Sequence, residues 1–225
     1  MSLKFYYEPI SQPCRAVQCL LELLEIPHEK IHIDLSKGQQ KNPEFLAVNP
    51  LGEVPCIDDD GYILWESEAI MKYLISSRNK GQELYPLDPK IRGNIDKYFP
   101  FHHSVLRPKL TKDMHFHYKF LFPHESFASE EVIKGEAEKA LKTFDEVFLK
   151  DKKYINGDEM TIADLSAVNE LSQNYFATDL DYGKYPRVKD YVERCLGNPV
   201  LGKTQDAIKA FPDLIKAYLA SMKKE

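Results

Sequence analysis

Val54-Pro55-Cys56-Ile57-Asp58-Asp59-Asp60-Gly61-Tyr62-Ile63-Leu64-Trp65 is the stretch on which the fold turns. Two short runs rich in apolar, β-branched and aromatic residues flank an Asp-Asp-Asp-Gly turn, and the segment predicts a β-hairpin. A helix follows from Ser67 through Ala69, Ile70, Tyr73 and Leu74, with Glu66 or Ser67 near its N-cap. On the other side, Leu3-Lys4-Phe5-Tyr6-Tyr7 reads as a strand. From Cys14, the spacing of Val17, Leu20, Leu21 and Leu24 predicts an amphipathic helix with Pro13 in its first turn. Ile26-Pro27 stops that helix, and residues 29–35 alternate as a second strand. Ser36 to Asn49 is polar and reads as irregular, with a short helix around Phe45. The order β-α-β, then β-β-α, predicts a four-stranded mixed sheet with helices on its faces.

Beyond residue 80 the two-residue alternation fades and helical periodicity takes over. The chain therefore reads as an α/β domain over 1–80, a linker over 81–89 and an all-helical domain over 90–225. One helix is expected from Lys90 to about Thr111, bent or interrupted at Pro100 and Pro108. Another is expected from Glu130 to Phe148, with Val132, Ala140, Leu141, Phe144 and Phe148 as its apolar side. Asn156-Gly157-Asp158 turns the chain into Thr161-Ile162-Ala163-Asp164, a capping box with Asp in place of Glu or Gln. Further helices are expected to start at Tyr185-Pro186 and at Pro212-Asp213.

Composition excludes several classes. A formal net charge of -5, with only short basic clusters, argues against a nucleic-acid partner. There is no run of 18 apolar residues, so no membrane span is expected. The strand-like run beginning at Leu3 is read as leaving no room for a signal peptide. Cys14, Cys19, Cys56 and Cys195 have neither CxxC spacing nor a dense framework, which favours reduced thiols and a cytoplasmic setting. His102, His103, His115 and His117 lie at no diagnostic metal spacing, so no metal is expected.

Ligands of α/β sheets favour the carboxyl ends of strands, which directs attention to the loop after the first strand. Within ten residues it holds Tyr6, Ser11, Gln12, Cys14 and Arg15. Ser11 precedes a helix N-terminus, where a hydroxyl and free amides stabilise an anion; on local grounds alone the N-cap is the stronger reading. Val54-Pro55 could present its backbone to an extended peptide, and the helix at Ser67 could anchor a carboxylate. Cys14 stands at the second position of what would be a CxxC, with Ser11 at the first, so dithiol chemistry is unavailable and a buried thiol is expected. Arg15 is expected to be structural.

Residues 6–17, residues 49–55 and residues 64–74 together resemble cytosolic glutathione transferases of the theta class. Trp65 before Glu66-Ser67 also resembles the insect delta class, and residues 156–164 resemble the family's helical-domain signature. The resemblance covers essentially the whole chain. It implies a thioredoxin-like first domain, an all-helical second domain and a homodimer. It further implies conjugation of the glutathione thiolate to small hydrophobic or halogenated electrophiles, with a peroxidase side activity, and no prosthetic group.

Carried over by residue, Ser11 would donate to the glutathione sulfur as the catalytic group. Gln12, Gln40, Glu53, Val54, Pro55, Glu66 and Ser67 would hold glutathione, while Tyr6, Ser104 and Arg107 would line the electrophile pocket. The chain departs from the family at Gln40 and Glu53, where theta members carry a histidine and a lysine, and at Gly52, where delta members carry a histidine. Weaker glutathione binding, or another basic residue such as Lys41 in the vacant role, is expected. The tail, shorter than is usual in theta members, implies a less covered electrophile site. The competing class is a non-enzymatic binding or assembly module on the same fold.

Overall fold

A computed structural model describes residues 3–222. Strands β1 (Leu3–Tyr7), β2 (Glu29–His32), β3 (Cys56–Asp59) and β4 (Tyr62–Trp65) form one sheet in the order β2-β1-β3-β4. β1 pairs parallel with β2 and antiparallel with β3, and the β3-β4 hairpin pairs Asp59 with Tyr62 across Asp60 and Gly61. Both turn residues have positive φ, 56° at Asp60 and 94° at Gly61, the backbone that a tight hairpin turn requires. Helices α1 (Gln12–Leu23), α2 (Pro43–Leu46) and α3 (Ser67–Arg78) complete this unit.

The pleat of β1 sorts its side chains. Leu3 and Phe5 join the main core with α1 and α3, whereas Tyr6 faces the other way and packs with Ile33, Phe45 and Cys56. On α1, Val17, Leu20 and Leu21 are fully buried, each contributing roughly 1.5–3 kcal/mol of burial.

The rest of the described chain is helical: α4 (Pro89–Asp96), α5 (Tyr98–Phe101), α6 (Arg107–His117), α7 (Glu130–Thr143), α8 (Ile162–Ala177), α9 (Pro186–Leu196), α10 (Pro199–Thr204) and α11 (Asp206–Met222). Asp88 caps α4 by accepting from the amides of Lys90 and Ile91 at 2.8 and 3.0 Å. Leu84 and Tyr85, between α3 and α4, are buried, and the Ile162 amide donates to the Leu84 oxygen at 3.0 Å.

Several expectations need correction. The helix expected to end near Thr111 runs to His117 through a π-helical turn, His102–Leu106. Pro108 has no amide hydrogen for Ser104, so the wider turn falls where the regular ladder is already broken. On α7 the buried stripe is Ile133, Ala137, Ala140 and Leu141, continued by Phe144 and Phe148 in a second π-helical turn, Phe144–Leu149. Val132 lies one position off that stripe and is 54% exposed. The last helix starts at Asp206 and carries Pro212 inside it. Ile208, Phe211 and Ile215 pack around Met114, Tyr118, Phe176 and Ala177, and this packing carries the helix through the proline.

The capping box forms as expected. The Asp164 carboxylate accepts from the Thr161 amide at 2.8 Å, and also from the Ile155 amide at 2.9 Å and the Tyr191 hydroxyl at 3.0 Å.

Candidate functional site

The turn after β1 is braced from two sides. Within it, the buried Glu8 carboxylate accepts from the amides of Ile10 and Leu35 at 3.3 and 3.4 Å, and from His32 at 3.3 Å. From α1, the Arg15 guanidinium donates to the oxygens of Pro9 and Ile10 at 3.4 and 2.7 Å. Arg15 is 1% exposed and reaches into the helical domain, where it meets the Asn169 side chain and backbone and the Gln173 and Gln205 amides. Burial lowers its pKa to about 10, which leaves it charged at neutral pH.

Ser11 occupies the N-cap position of α1 but makes no capping hydrogen bond with its side chain. Its hydroxyl is therefore not committed to the cap and lies instead beside the Cys14 thiol. Cys14 is buried, and its sulfur accepts from the Glu8 amide at 3.5 Å. Burial pushes its thiol up to about 12, partly opposed by neighbouring Ser11, so no thiolate forms there near neutrality. All four cysteines are unpaired and buried.

Ser11 opens onto a cavity of about 570 Å³, and a second of about 420 Å³ adjoins it. Glu53, Val54, Arg107, Thr111 and His115 line both, so the two form one cleft between the α/β unit and α6. The smaller part is lined by Pro55, Trp65, Glu66 and Ser67 at the N-terminus of α3. Glu66 adopts φ 70°, ψ 110°, an unusual conformation for a residue with a Cβ, and turns the chain from β4 into α3. The Val54-Pro55 bond is cis. The larger part brings Gln40, Lys41 and Gly52 beside Ser11 and Gln12, and its apolar wall includes Met114, Phe122, Ile208 and Phe211.

Gly52 has φ +63°, and a Cβ there would lie 2.6 Å from the Gln40 backbone oxygen and 3.1 Å from Lys41 Nζ. The space that a side chain at residue 52 would need is thus taken first by the Gln40 backbone, with Leu46 and the Lys41 ammonium both 3.1 Å away. Asn49, fully buried, shapes this loop by donating to the Glu53 oxygen at 2.8 Å and accepting from the Leu51 amide at 3.1 Å.

Two expected residues stand apart from the cleft. Tyr6 packs against Phe45 on the far face of the sheet, with ring centroids 5.7 Å apart, and lines neither cavity. Ser104 donates to the Pro100 oxygen at 2.6 Å and is also absent from both walls. The π-helical turn presents His103 to the cleft instead, and α6 presents Arg107.

The cleft also holds residues that the sequence reading missed. His103, Thr111 and His115 join the expected Arg107 at every fourth residue along one helical face, a spacing that could have marked them. His115 stacks on Phe122 at 3.8 Å, and the Glu125 carboxylate holds His115 at 2.6 Å and Lys112 at 2.9 Å. Behind Ser11, Gln12 donates to the Glu170 carboxylate at 3.2 Å. Glu170 is a lone acid in an otherwise uncharged run from Leu165 to Ala177 on α8. Burial raises its pKa to about 7 against the pull of Arg107 and Arg15. Among the described residues, no group of three or more His, Cys, Asp or Glu is placed to hold a metal, and no helix is long and apolar enough to cross a membrane.

Comparison with known proteins gives a consistent result. Residues 1–76 match the glutathione S-transferase N-terminal domain family, and residues 111–199 match its C-terminal domain family. Glutathione S-transferase 1 of Manduca sexta is 33% identical over 199 residues, spanning 87% of this chain and 88% of that protein. Human glutathione S-transferase theta-1 is 31% identical over 225 residues, spanning 94% and 92%. The solved human theta-class enzyme in complex with the glutathione conjugate of 1-menaphthyl sulfate superposes with a TM-score of 0.87 at 29% identity, covering 95% of this chain and 89% of that one.

Proposed function

The chain belongs to the glutathione S-transferase family and is theta-class-like, and on that premise we propose that it conjugates the glutathione thiolate to small hydrophobic or halogenated electrophiles. The observation that carries this reading is the single cleft onto which Ser11, Val54, Ser67 and Arg107 all open.

Ser11, whose hydroxyl makes no capping bond, donates to the glutathione sulfur at the N-terminus of α1. Lowering a thiol pKa by ~2 units needs roughly 2.7 kcal/mol of preferential anion stabilisation. One hydrogen bond to a charged acceptor plus a helix terminus is of that size. Val54, ahead of Pro55, pairs its backbone with the cysteinyl unit. Ser67 and the first amides of α3 receive the γ-glutamyl carboxylate, and Glu66 takes the ammonium. At the glycyl end, Lys41 supplies the positive charge that Gln40 and Glu53 lack, because its ammonium lies against Gly52. Gln12 contributes to the wall, but its amide is engaged by Glu170.

The electrophile sits against Met114, Phe122, Ile208 and Phe211. The thiolate attacks its electrophilic carbon, the carbon–sulfur bond forms, and the carbon–halogen bond breaks with the pair leaving on halide. Arg107 stabilises the charge that develops on the leaving group, and alignment of the two reactants supplies much of the remaining rate. The same thiolate supports a peroxidase side activity. The enzyme works as a cytoplasmic homodimer; family membership supports the dimer, and unpaired cysteines support the reducing compartment.

The test is calorimetric titration with glutathione together with halide release from a chlorinated aromatic electrophile, with light scattering for the dimer. Binding with halide release is expected. Binding without release would favour the non-enzymatic module, for which Glu53 in the cleft wall is the best argument, and absence of both would overturn the proposal.

A further inference from the structure

Glu170 is 0% exposed, on a helix of the second domain, and its carboxylate does nothing in the reaction just described. A buried carboxylate is costly unless its surroundings repay it. One oxygen, Oε1, accepts from the Gln12 amide at 3.2 Å and from the Thr111 hydroxyl at 3.4 Å. Gln12 follows Ser11 as the first residue of α1, at the end of the loop that would hold the thiol, and Thr111 is one turn beyond Arg107 on α6. Gln12 and Thr111 thus come from the two sides of the cleft and meet on a single atom. The other oxygen, Oε2, has no hydrogen-bond partner among the described residues.

We propose that Glu170 is a positioning residue of the transferase reaction: through Gln12 and Thr111 it holds the thiol loop and the electrophile helix in one register. The inference rests on the transferase reading, since it requires a thiol at Ser11 and an electrophile beside α6.

The charge state follows from what faces the carboxylate. Arg15 from α1 and Arg107 from α6 favour the ionised form, while burial opposes it. His102, in the π-helical turn, places Nε2 3.9 Å from Oε2 and is held neutral near neutral pH by burial. Its Nδ1 lies 2.9 Å from the Tyr98 hydroxyl of α5. Tyr98 keeps its proton because burial raises its pKa well above the usual value, and so does Tyr182, which also feels Glu170. The Tyr98 hydroxyl and His102 Nδ1 share one hydrogen bond, while Nε2 at 3.9 Å is too far to hydrogen-bond the unpaired oxygen. Protonation of Glu170 would fall on Oε2, leaving Oε1 free to keep Gln12 and Thr111. The charge can therefore vary while the two positional contacts persist.

The decisive experiment is a double-mutant cycle on kcat with Gln12→Ala and Thr111→Val in the full chain, alongside Glu170→Gln and Glu170→Ala. Because both partners act through one oxygen, their effects are expected to be non-additive by about threefold or more. Glu170→Ala is expected to lower kcat by about tenfold to a hundredfold, as small misalignments do, with glutathione binding changed less than kcat. Glu170→Gln, which keeps an acceptor and removes the charge, is expected to restore most of kcat, because the two contacts on Oε1 do not depend on the charge. Additive effects of Gln12→Ala and Thr111→Val would overturn the inference even if Glu170→Ala failed to fold. So would a kcat in Glu170→Gln as low as that in Glu170→Ala. No turnover by the unmodified chain would overturn the transferase reading and this inference with it, whereas turnover with additive effects would overturn this inference alone.

Discussion

The Arg15 guanidinium donates to the carbonyl oxygen of Ile10 at 2.7 Å, and the same side chain donates to the Asn169 oxygen of α8 at 2.8 Å. The residue before Ser11 is thereby tied to the helical domain by a cation inside the first. Amide and carbonyl oxygens accept from this charge, and among the described residues no carboxylate forms an ion pair with it; Glu170 acts on it only from a distance. Removing it would leave the Pro9 and Ile10 oxygens and several amides without their donor.

Arg15→Ala is therefore expected to cost about 3–5 kcal/mol of unfolding free energy, because several buried acceptors lose their donor at about 1–3 kcal/mol each. Arg15→Lys is expected to recover little, because one ammonium cannot reach partners spread over two domains. Urea unfolding of the three proteins checks this.

Gly52→Ala is expected to weaken glutathione binding by about tenfold and to cost about 1–3 kcal/mol of stability. The new Cβ would stand 2.6 Å from a backbone oxygen and 3.1 Å from the Lys41 ammonium, at a φ of +63°. Calorimetry with glutathione and thermal unfolding measure the two effects separately.

Glu53 lines both parts of the cleft and carries negative charge toward the end proposed for the glycyl carboxylate. Glu53→Lys is expected to lower the glutathione KM by about three- to tenfold, as reversal of one exposed charge near an anion should. The gain should shrink as salt is added. An unchanged KM would mean that Glu53 points away from the ligand.

Glu170 makes stability depend on pH in a definite direction. Its folded pKa is raised to about 7 from an ordinary 4.5, so the folded state binds the proton more tightly. The stability contributed by protonation is complete below about pH 4.5 and is lost as pH rises through about 7. Relative to Glu170→Gln, wild type is expected to lose roughly 3 kcal/mol between those limits, at 1.36 kcal/mol per unit. Urea unfolding of both proteins at about pH 5 and about pH 8 tests the sign as well as the size.

Much of this was legible along the chain, and for local reasons. The hairpin at Asp58–Gly61 and the capping box at Thr161–Asp164 are short-range chemistry, and Pro13 in the first turn of α1 needs no tertiary partner. The misses have a tertiary origin. Pro212 is carried inside α11 because Ile208, Phe211 and Ile215 pack on both sides of it. Ser104 is displaced from the cleft by a π-helical turn that only the ladder around Pro108 reveals. Tyr6 looked available beside Ser11, yet the pleat of β1 sends it to the opposite face. Glu170 joins Gln12 across 158 residues of sequence, a separation at which no periodicity or motif carries information.

The central claim is that the Ser11 hydroxyl stabilises the glutathione thiolate. Its most direct test is ultraviolet titration of bound glutathione in wild type and Ser11→Ala, following thiolate absorbance against pH. The thiol pKa in wild type is predicted to lie about 2 units below its value in the variant, with a matching loss of turnover at neutral pH. Equal thiol pKa values in the two proteins would contradict the assignment of Ser11.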